Sequence, residues 1–311
     1  MTVVNALPYK ILKTISRGPL AEVHEAIGPQ GVAVLKVAQA EAGAFGDATT
    51  PPNLEQGLAF VTGGVSVVDP DPGEVLVAEA RVLLGITHAA FPRVLEQGEA
   101  LIDGKPRRWV LMEKINGTSW RAAFDTPGKP SPRSVLKLAQ LLAEVQASGQ
   151  LAWHGDLKPE NVLIDATGRP RPIDPTSGCV ERDGAGLPLN LLLTESYNPL
   201  YALSDLPALG MMLLEVLAGG VHPLAAGAEE PPAGRTFGPA IERWLDGRAA
   251  IGQLRMARRL ACLTLTVGAD PAIEAVALRA LNLARHGDQL DLAPPYADVA
   301  VFAADLARAI G

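Results

Sequence analysis

The character of the chain changes at Gly117, and that change sets the fold class. Ahead of it, short β-like runs at 9–15, 21–27 and 32–38 alternate with Gly-Pro and Gly-Pro-Gln-Gly segments, which predicts an antiparallel meander. Residues 74–85 carry helical spacing in Leu76, Ala80, Leu83 and Leu84, and 91–99 and 108–114 read as two further strands. Beyond Gly117 the period is helical. Residues 134–147 place Val135, Leu138, Leu141, Leu142 and Val145 on one face. Residues 206–218 are apolar almost all round, as expected of a helix in the middle of a domain, and 237–245, 255–265, 271–284 and 298–310 also read as helices. A β-rich front joined to a helical back predicts an α+β chain of two lobes, 1–116 and 117–311. The stretch 40–73, rich in Gly, Pro, Asp and Thr, is read as an insertion in the first lobe, functional or mobile.

Composition narrows the partners. The 311 residues are 48% hydrophobic and 20% charged, enough apolar material for a well-buried core. A net charge of -7 argues against nucleic acid, whose phosphates demand clustered Lys and Arg. The two cysteines, Cys179 and Cys262, cannot build a disulfide framework and fit a reducing cytosol. With no visible secretory signal and no apolar run of about 18 residues, the expectation is a cytoplasmic protein without a membrane partner. The five histidines show no metal-ligand spacing; His154 reads as a buried core residue.

The chemistry is concentrated in His154-Gly-Asp-Leu-Lys-Pro-Glu-Asn-Val-Leu-Ile164. Asp156, Lys158 and Asn161 supply an acid, a cation and an amide just ahead of an apolar strand. Such a trio can orient a hydroxyl, steady a phosphate and hold a metal ion. A turn at 165–168 and a short run ending at Ile173 lead to a second acid, Asp174, which predicts a hairpin with Asn161 and Asp174 on its two sides.

On these residues the chain resembles the protein kinase family, and within it the bacterial Ser/Thr kinases of eukaryotic-like fold. The family's catalytic loop reads H-R-D-x-K-x-x-N and its magnesium loop D-F-G. The resemblance extends to Val34-Leu-Lys36, to Glu79 in Ala78-Glu-Ala-Arg81, to Trp109-Val-Leu-Met-Glu-Lys-Ile-Asn-Gly117, and to Ser204-Asp-Leu-Pro-Ala-Leu-Gly210. It implies ATP lying between the lobes, with adenine against Val23, Val34 and Leu163 and the hinge backbone of Glu113 and Ile115, behind Met112 as gatekeeper. Lys36, paired with Glu79, would hold the α- and β-phosphates, and Gly18 would lie in the loop that covers them. Asn161 and Asp174 would bind Mg2+, Asp156 would take the proton of the attacking hydroxyl, and Lys158 would neutralise the γ-phosphoryl group. Asp205 would hold the backbone of the catalytic loop.

The departures are as informative. In Ser16-Arg-Gly-Pro-Leu-Ala-Glu-Val23, Ser16 and Ala21 replace glycines of the family's G-x-G-x-x-G, and Pro19 removes a backbone donor. This loop is expected to cradle phosphates less well. Gly155 replaces the arginine that receives an activating phosphate in regulated members. Asp174-Pro-Thr176 replaces D-F-G, implying a magnesium loop held in one conformation. About 30 residues separate Asp174 from Asp205 without a clear A-P-E; Tyr197-Asn-Pro199 is its candidate remnant and Arg285 a stand-in for the arginine that acid pairs with.

The reading that follows is ATP- and Mg2+-dependent phosphoryl transfer to a protein Ser/Thr hydroxyl. The alternative is a pseudokinase, a nucleotide-binding regulatory or interaction module, motivated by the eroded loop. A small-molecule phosphotransferase is a third, disfavoured by Lys158, where such enzymes often carry another residue. Either main reading implies a partner chain, as protein substrate or as regulatory target.

Overall fold

The computed structural model describes residues 3–4, 7–40, 71–176, 197–198, 202–224, 234–243, 245–246, 260–265 and 268–311. The chain is α+β and divides into two compact units, Met1–Ile115 with Asp174–Leu192, and Asn116–Ile173 with Leu193–Gly311.

The first unit is built on a six-stranded sheet. Its strands are β1 (Val3–Val4), β2 (Lys10–Arg17), β3 (Ala21–Gly28), β4 (Gly31–Ala38), β5 (Val94–Ile102) and β6 (Lys105–Glu113), in the order β1-β5-β6-β4-β3-β2. Only the β1–β5 pair is parallel. Because side chains alternate along a strand, Ala33, Leu35 and Val37 of β4 point to one face and Val34 and Lys36 to the other. The first set joins Ala26, Ala100, Trp109 and Leu111 in a buried apolar cluster. The only described helix of this unit, α1 (Pro72–Gly85), starts where Asp71 accepts from the Glu74 N–H at 2.9 Å and Pro72 takes the first turn. It buries Leu76, Glu79, Ala80 and Leu83. Of the stretch read as an insertion, 41–70 lies outside the described residues.

The second unit opens with β7 (Gly117–Ser119) and the short helix α2 (Trp120–Ala123), followed by α3 (Pro132–Ala147). A 3-10 turn (Pro159–Asn161) leads into β8 (Val162–Asp165) and β9 (Pro170–Pro172), which form a three-stranded antiparallel sheet with β7. Then come α4 (Leu206–Leu217), β10 (Thr236–Phe237), α5 (Pro239–Arg243), α6 (Pro271–Ala280), β11 (Leu283–His286), β12 (Gln289–Leu292) and α7 (Val299–Ile310). Helix α4 is buried from Leu206 to Val216 and packs against α3 and α6. The apolar face of α3 is Val135, Leu138, Ala139, Leu142 and Val145, with Leu141 half-buried at its margin.

Two of the expected helices are shorter than their periodicity suggests. The 237–245 segment begins as a strand at Thr236–Phe237, is α-helical over Pro239–Arg243 and is π-helical at Leu245 among its described residues. The 271–284 helix ends at Ala280, because Asn282 adopts a left-handed φ of 59° and turns the chain into a β11–β12 hairpin closed at Gly287, φ 63°. Of the 255–265 segment expected to be helical, 255–259 lies outside the described residues, and the rest is helical only at Leu260 and Ala261 before Leu263 bridges to Leu224. No described helix is long and apolar enough to cross a membrane.

The α4–α6 contact depends on one absent side chain. A Cβ at Gly210 would lie 2.8 Å from the Ala277 carbonyl oxygen and 2.9 Å from the Ala280 Cβ, closer than atoms in contact come. Gly210→Ala is therefore expected to destabilise the protein by about 1–3 kcal/mol, despite alanine's better helix propensity. Urea unfolding checks this, and an unchanged midpoint would mean that the helices separate freely.

Candidate active site

In the first unit three residues remote in sequence converge. Lys36 on β4 places Nζ 2.7 Å from Oε1 of Glu79 on α1 and 2.7 Å from Oδ1 of Asp174. Lys36 and Glu79 are 6% and 7% exposed, so each requires a charged partner. Burial pulls the Lys36 pKa down, but the two carboxylates outweigh it and hold the ammonium above its ordinary range. Burial raises Glu79 to about 7, with Asp174 adding to the rise and Lys36 opposing it. Two carboxylates share one ammonium, which adds to the effect of burial on Glu79. Asp174 carries a left-handed φ of 59°, unusual for a residue with a side chain, and Pro175 behind it is buried.

Val23 pairs with Lys36 across β3–β4, and Val34 lies two residues away on the same face, paired with Met112 on β6. Met112 is buried. The N–H of Glu113 donates to the Arg93 carbonyl at 2.8 Å. Ile115 is half-buried at the end of this unit. Gly18 lies in the turn between β2 and β3, half-buried, with its N–H donating to the Ala21 carbonyl at 2.9 Å.

In the second unit the 154–161 loop is hung on a buried carboxylate. Asp205, 2% exposed, accepts from the His154 N–H at 2.9–3.0 Å, from the Gly155 N–H at 3.4 Å and from Gln146 Nε2 at 2.9 Å. Burial pushes its pKa up against the pull of these donors. Gly155 has φ 93°, a region that L side chains rarely adopt, so the loop's path accounts for glycine there. His154 is fully buried. Asp156 Oδ2 receives Lys158 Nζ at 2.6 Å and Asn161 Nδ2 at 2.8 Å. The Asn161 amide also donates to the Asp156 carbonyl, at 2.8 Å, and the Ile173 N–H donates to the Asn161 carbonyl at 2.9 Å. Leu163, half-buried on β8, pairs with Ser119 and Arg171.

A network that the motifs do not announce braces this loop. Glu215, fully buried on α4, accepts from the Tyr197 hydroxyl at 2.7 Å and is ion-paired to Arg121 of α2. Arg121 also donates to Tyr197 Oη at 2.5 Å and to Oε1 of Glu160, in the loop's own 3-10 turn, at 2.8 Å. Burial and then Glu215 raise the Tyr197 pKa. The available signal was Glu215 itself, the one acid in an otherwise apolar helix, which had to have a cation. Asn198 closes a local turn with Ala202, and Arg285 pairs with Glu274 of α6 at 3.1 Å.

No protein-family profile matches the chain. It is similar to the serine/threonine-protein kinase PknB of Mycobacterium tuberculosis, 28% identical over 156 residues, which are 45% of this chain and 25% of that protein. PknA of the same organism is 31% identical over 106 residues, 32% of this chain and 24% of that protein. PknB of Mycobacterium bovis matches to the same extent as its M. tuberculosis counterpart, 28% over 156 residues. The matches span about a quarter of each relative's length. The chain is thus distantly similar, over part of its length, to bacterial Ser/Thr kinases.

The crowded carboxylates make stability depend on pH. Glu79 titrates near 7 when folded against an ordinary 4.5, so folding takes up a proton between these values. Its contribution is complete below pH about 4.5 and is lost as pH rises to about 7. Glu79→Gln, which keeps the shape and removes the titration, is expected to flatten the fall in stability across this window. Urea midpoints of both proteins from pH 5 to 8 measure it; parallel curves would sink the assignment.

Proposed function

We propose that this chain is a phosphotransferase of the protein-kinase type, with that family's two-lobed fold, moving the γ-phosphoryl group of ATP to a Ser or Thr hydroxyl of a protein. The observation that carries the reading is the convergence of Lys36, Glu79 and Asp174 from three separate parts of the chain. Lys36, held in place by Glu79, would bind the α- and β-phosphates. The purine would lie on the Val23 and Val34 face, its edge meeting the backbone of Glu113 and Ile115.

The donor set suits Mg2+. Asn161 turns its nitrogen to Asp156, which presents its amide oxygen as the acceptor end, and Asp174 supplies a carboxylate. When bound, the ion would neutralise phosphate charge. Asp156 would accept the hydroxyl proton as the new O–P bond forms and the bond from the γ-phosphorus to the bridging oxygen breaks, releasing ADP. Lys158, now on Asp156, is the cation available to the transferring group. Catalysis of this kind is positioning and charge stabilisation, which explains why so much hydrogen bonding serves one short loop.

A second reading, a nucleotide-binding regulatory module, is favoured by the β2–β3 turn, where one glycine remains of three. The discriminating experiment incubates wild type and Asp156→Ala with labelled ATP and Mg2+ and a generic protein substrate. Incorporation is expected to fall about 10²–10⁴-fold in the variant, while a nucleotide-dependent thermal shift persists. A wild type that shows the shift but no incorporation would instead establish the regulatory module.

A further inference from the structure

The turn between β2 and β3 is tied down by side chains that no motif includes. Gln39, just past β4, donates from its backbone N–H to the Leu20 carbonyl at 2.8 Å and from Nε2 to the Gly18 carbonyl at 3.1 Å. Its Oε1 in turn receives Arg107 Nη2 at 3.5 Å. Arg107, on β6 with a side chain 10% exposed, also donates from Nε to the Ala38 carbonyl at 2.6 Å and from Nη2 to Oε1 of Glu22 at 3.3 Å. Glu22 reaches the other flank of the turn, with Oε2 3.6 Å from Arg17 Nε and 3.6 Å from His24 Nε2. Across the turn itself, the Gly18 N–H donates to the Ala21 carbonyl at 2.9 Å. Two of the three backbone carbonyls at its tip, those of Gly18 and Leu20, are therefore committed to Gln39.

Glycine's special freedom is not in use here. Gly18 does not have a positive φ, and a Cβ on it would meet the Ala21 carbonyl oxygen at an ordinary 3.5 Å. Pro19 pre-sets one dihedral of the same turn. A chain whose turn residues do not need to flex, and whose tip carbonyls are bonded from outside, has a fixed turn.

We infer that Gln39 and Arg107 are positioning residues that hold the 16–21 turn in one conformation before any nucleotide arrives. Gln39 acts directly on the turn, and Arg107 acts through Gln39 and Glu22. Building on the phosphotransferase reading, the turn would meet the phosphates already ordered, which offsets the loss of the flanking glycines.

Trypsin tests the turn without nucleotide, because its cleavage after Arg17 requires the turn to open. Losing one net hydrogen bond shifts such an opening equilibrium about 3- to 10-fold, and cleavage follows the open population. Gln39→Ala and Gln39→Glu are both expected to raise cleavage at Arg17 by about that factor, with cleavage after Lys13 on the same strand unchanged. The glutamate variant keeps the Arg107 contact but cannot donate to Gly18, so it separates loss of the staple from loss of folding. Equal rates at Arg17 in wild type and both variants would overturn the inference. Calorimetry with Mg-ATP then tests the role: the variants should bind about 3- to 10-fold more weakly, with kcat in the labelling assay within about twofold of wild type. Wild-type affinity in the variants would overturn the positioning role. Absence of nucleotide binding by the wild type would instead overturn the phosphotransferase reading, leaving the proteolysis result to stand by itself.

Discussion

A carboxylate cannot leave water alone, and the second unit is arranged around that constraint. Asp205 is buried at the start of α4 and is satisfied only because two backbone N–H groups of the 154–161 loop and the Gln146 amide of α3 aim at it. Satisfying the charge fixes three elements at once: the helix, the loop, and the neighbouring helix that supplies the amide. The far end of α4 repeats the rule with Glu215, whose burial is met by the buried Tyr197 hydroxyl and the half-exposed Arg121. Since Arg121 also holds Glu160, the loop is braced from its backbone by one buried acid and from its 3-10 turn by another. Removing a single partner would strand a buried charge, which costs far more than the pair contributes.

The first unit applies the same rule with the signs reversed. Lys36 is the buried cation, and Glu79 and Asp174 are the acids that permit its burial. Burial first, and the second acid after it, push the Glu79 pKa up to about 7 against the pull of Lys36. A cation arriving at Asp174 would relieve the crowding, and a phosphate arriving at Lys36 would compete with both carboxylates. Binding of either would therefore change the protonation of Glu79. The unusual backbone of Asp174 belongs to this arrangement, because a left-handed residue persists only where its surroundings dictate it.

The elements were legible where period and length agreed. The three-strand meander, bounded by its Gly-Pro turns, and α1, α3, α4 and α7, marked by their apolar periodicity, lie within a few residues of their expected positions. The α6 helix was read too long, since Leu281-Asn-Leu-Ala284 continues a helical composition and only the left-handed Asn282 breaks it. Among the candidate site residues, spacing by itself singled out Asp156, Lys158, Asn161 and Asp174, and the others were proposed from the family resemblance. The Arg121–Glu215–Tyr197 network was reached by neither, because its members lie far apart in sequence and only Glu215 stands out locally. Gln39 left no mark at all: an amide after a strand is ordinary until its two ends are seen bonded in different directions.

That amide bears on what a glycine-rich loop is for. Glycines let a backbone bend close to a phosphate, and the cost is the entropy of ordering a chain that was free. A turn held by outside hydrogen bonds bears that cost during folding, so a ligand need not bear it again. The two solutions differ in adaptability: a flexible loop closes over ligands of different shape, whereas a stapled one accepts only what fits its fixed geometry. Pro19 stiffens the turn, and a residue that stiffens a turn is harmful only where the turn must move. A turn with one glycine and no staple of the Gln39–Arg107 kind would carry that ordering cost into binding, and would be the one expected to hold a phosphate poorly.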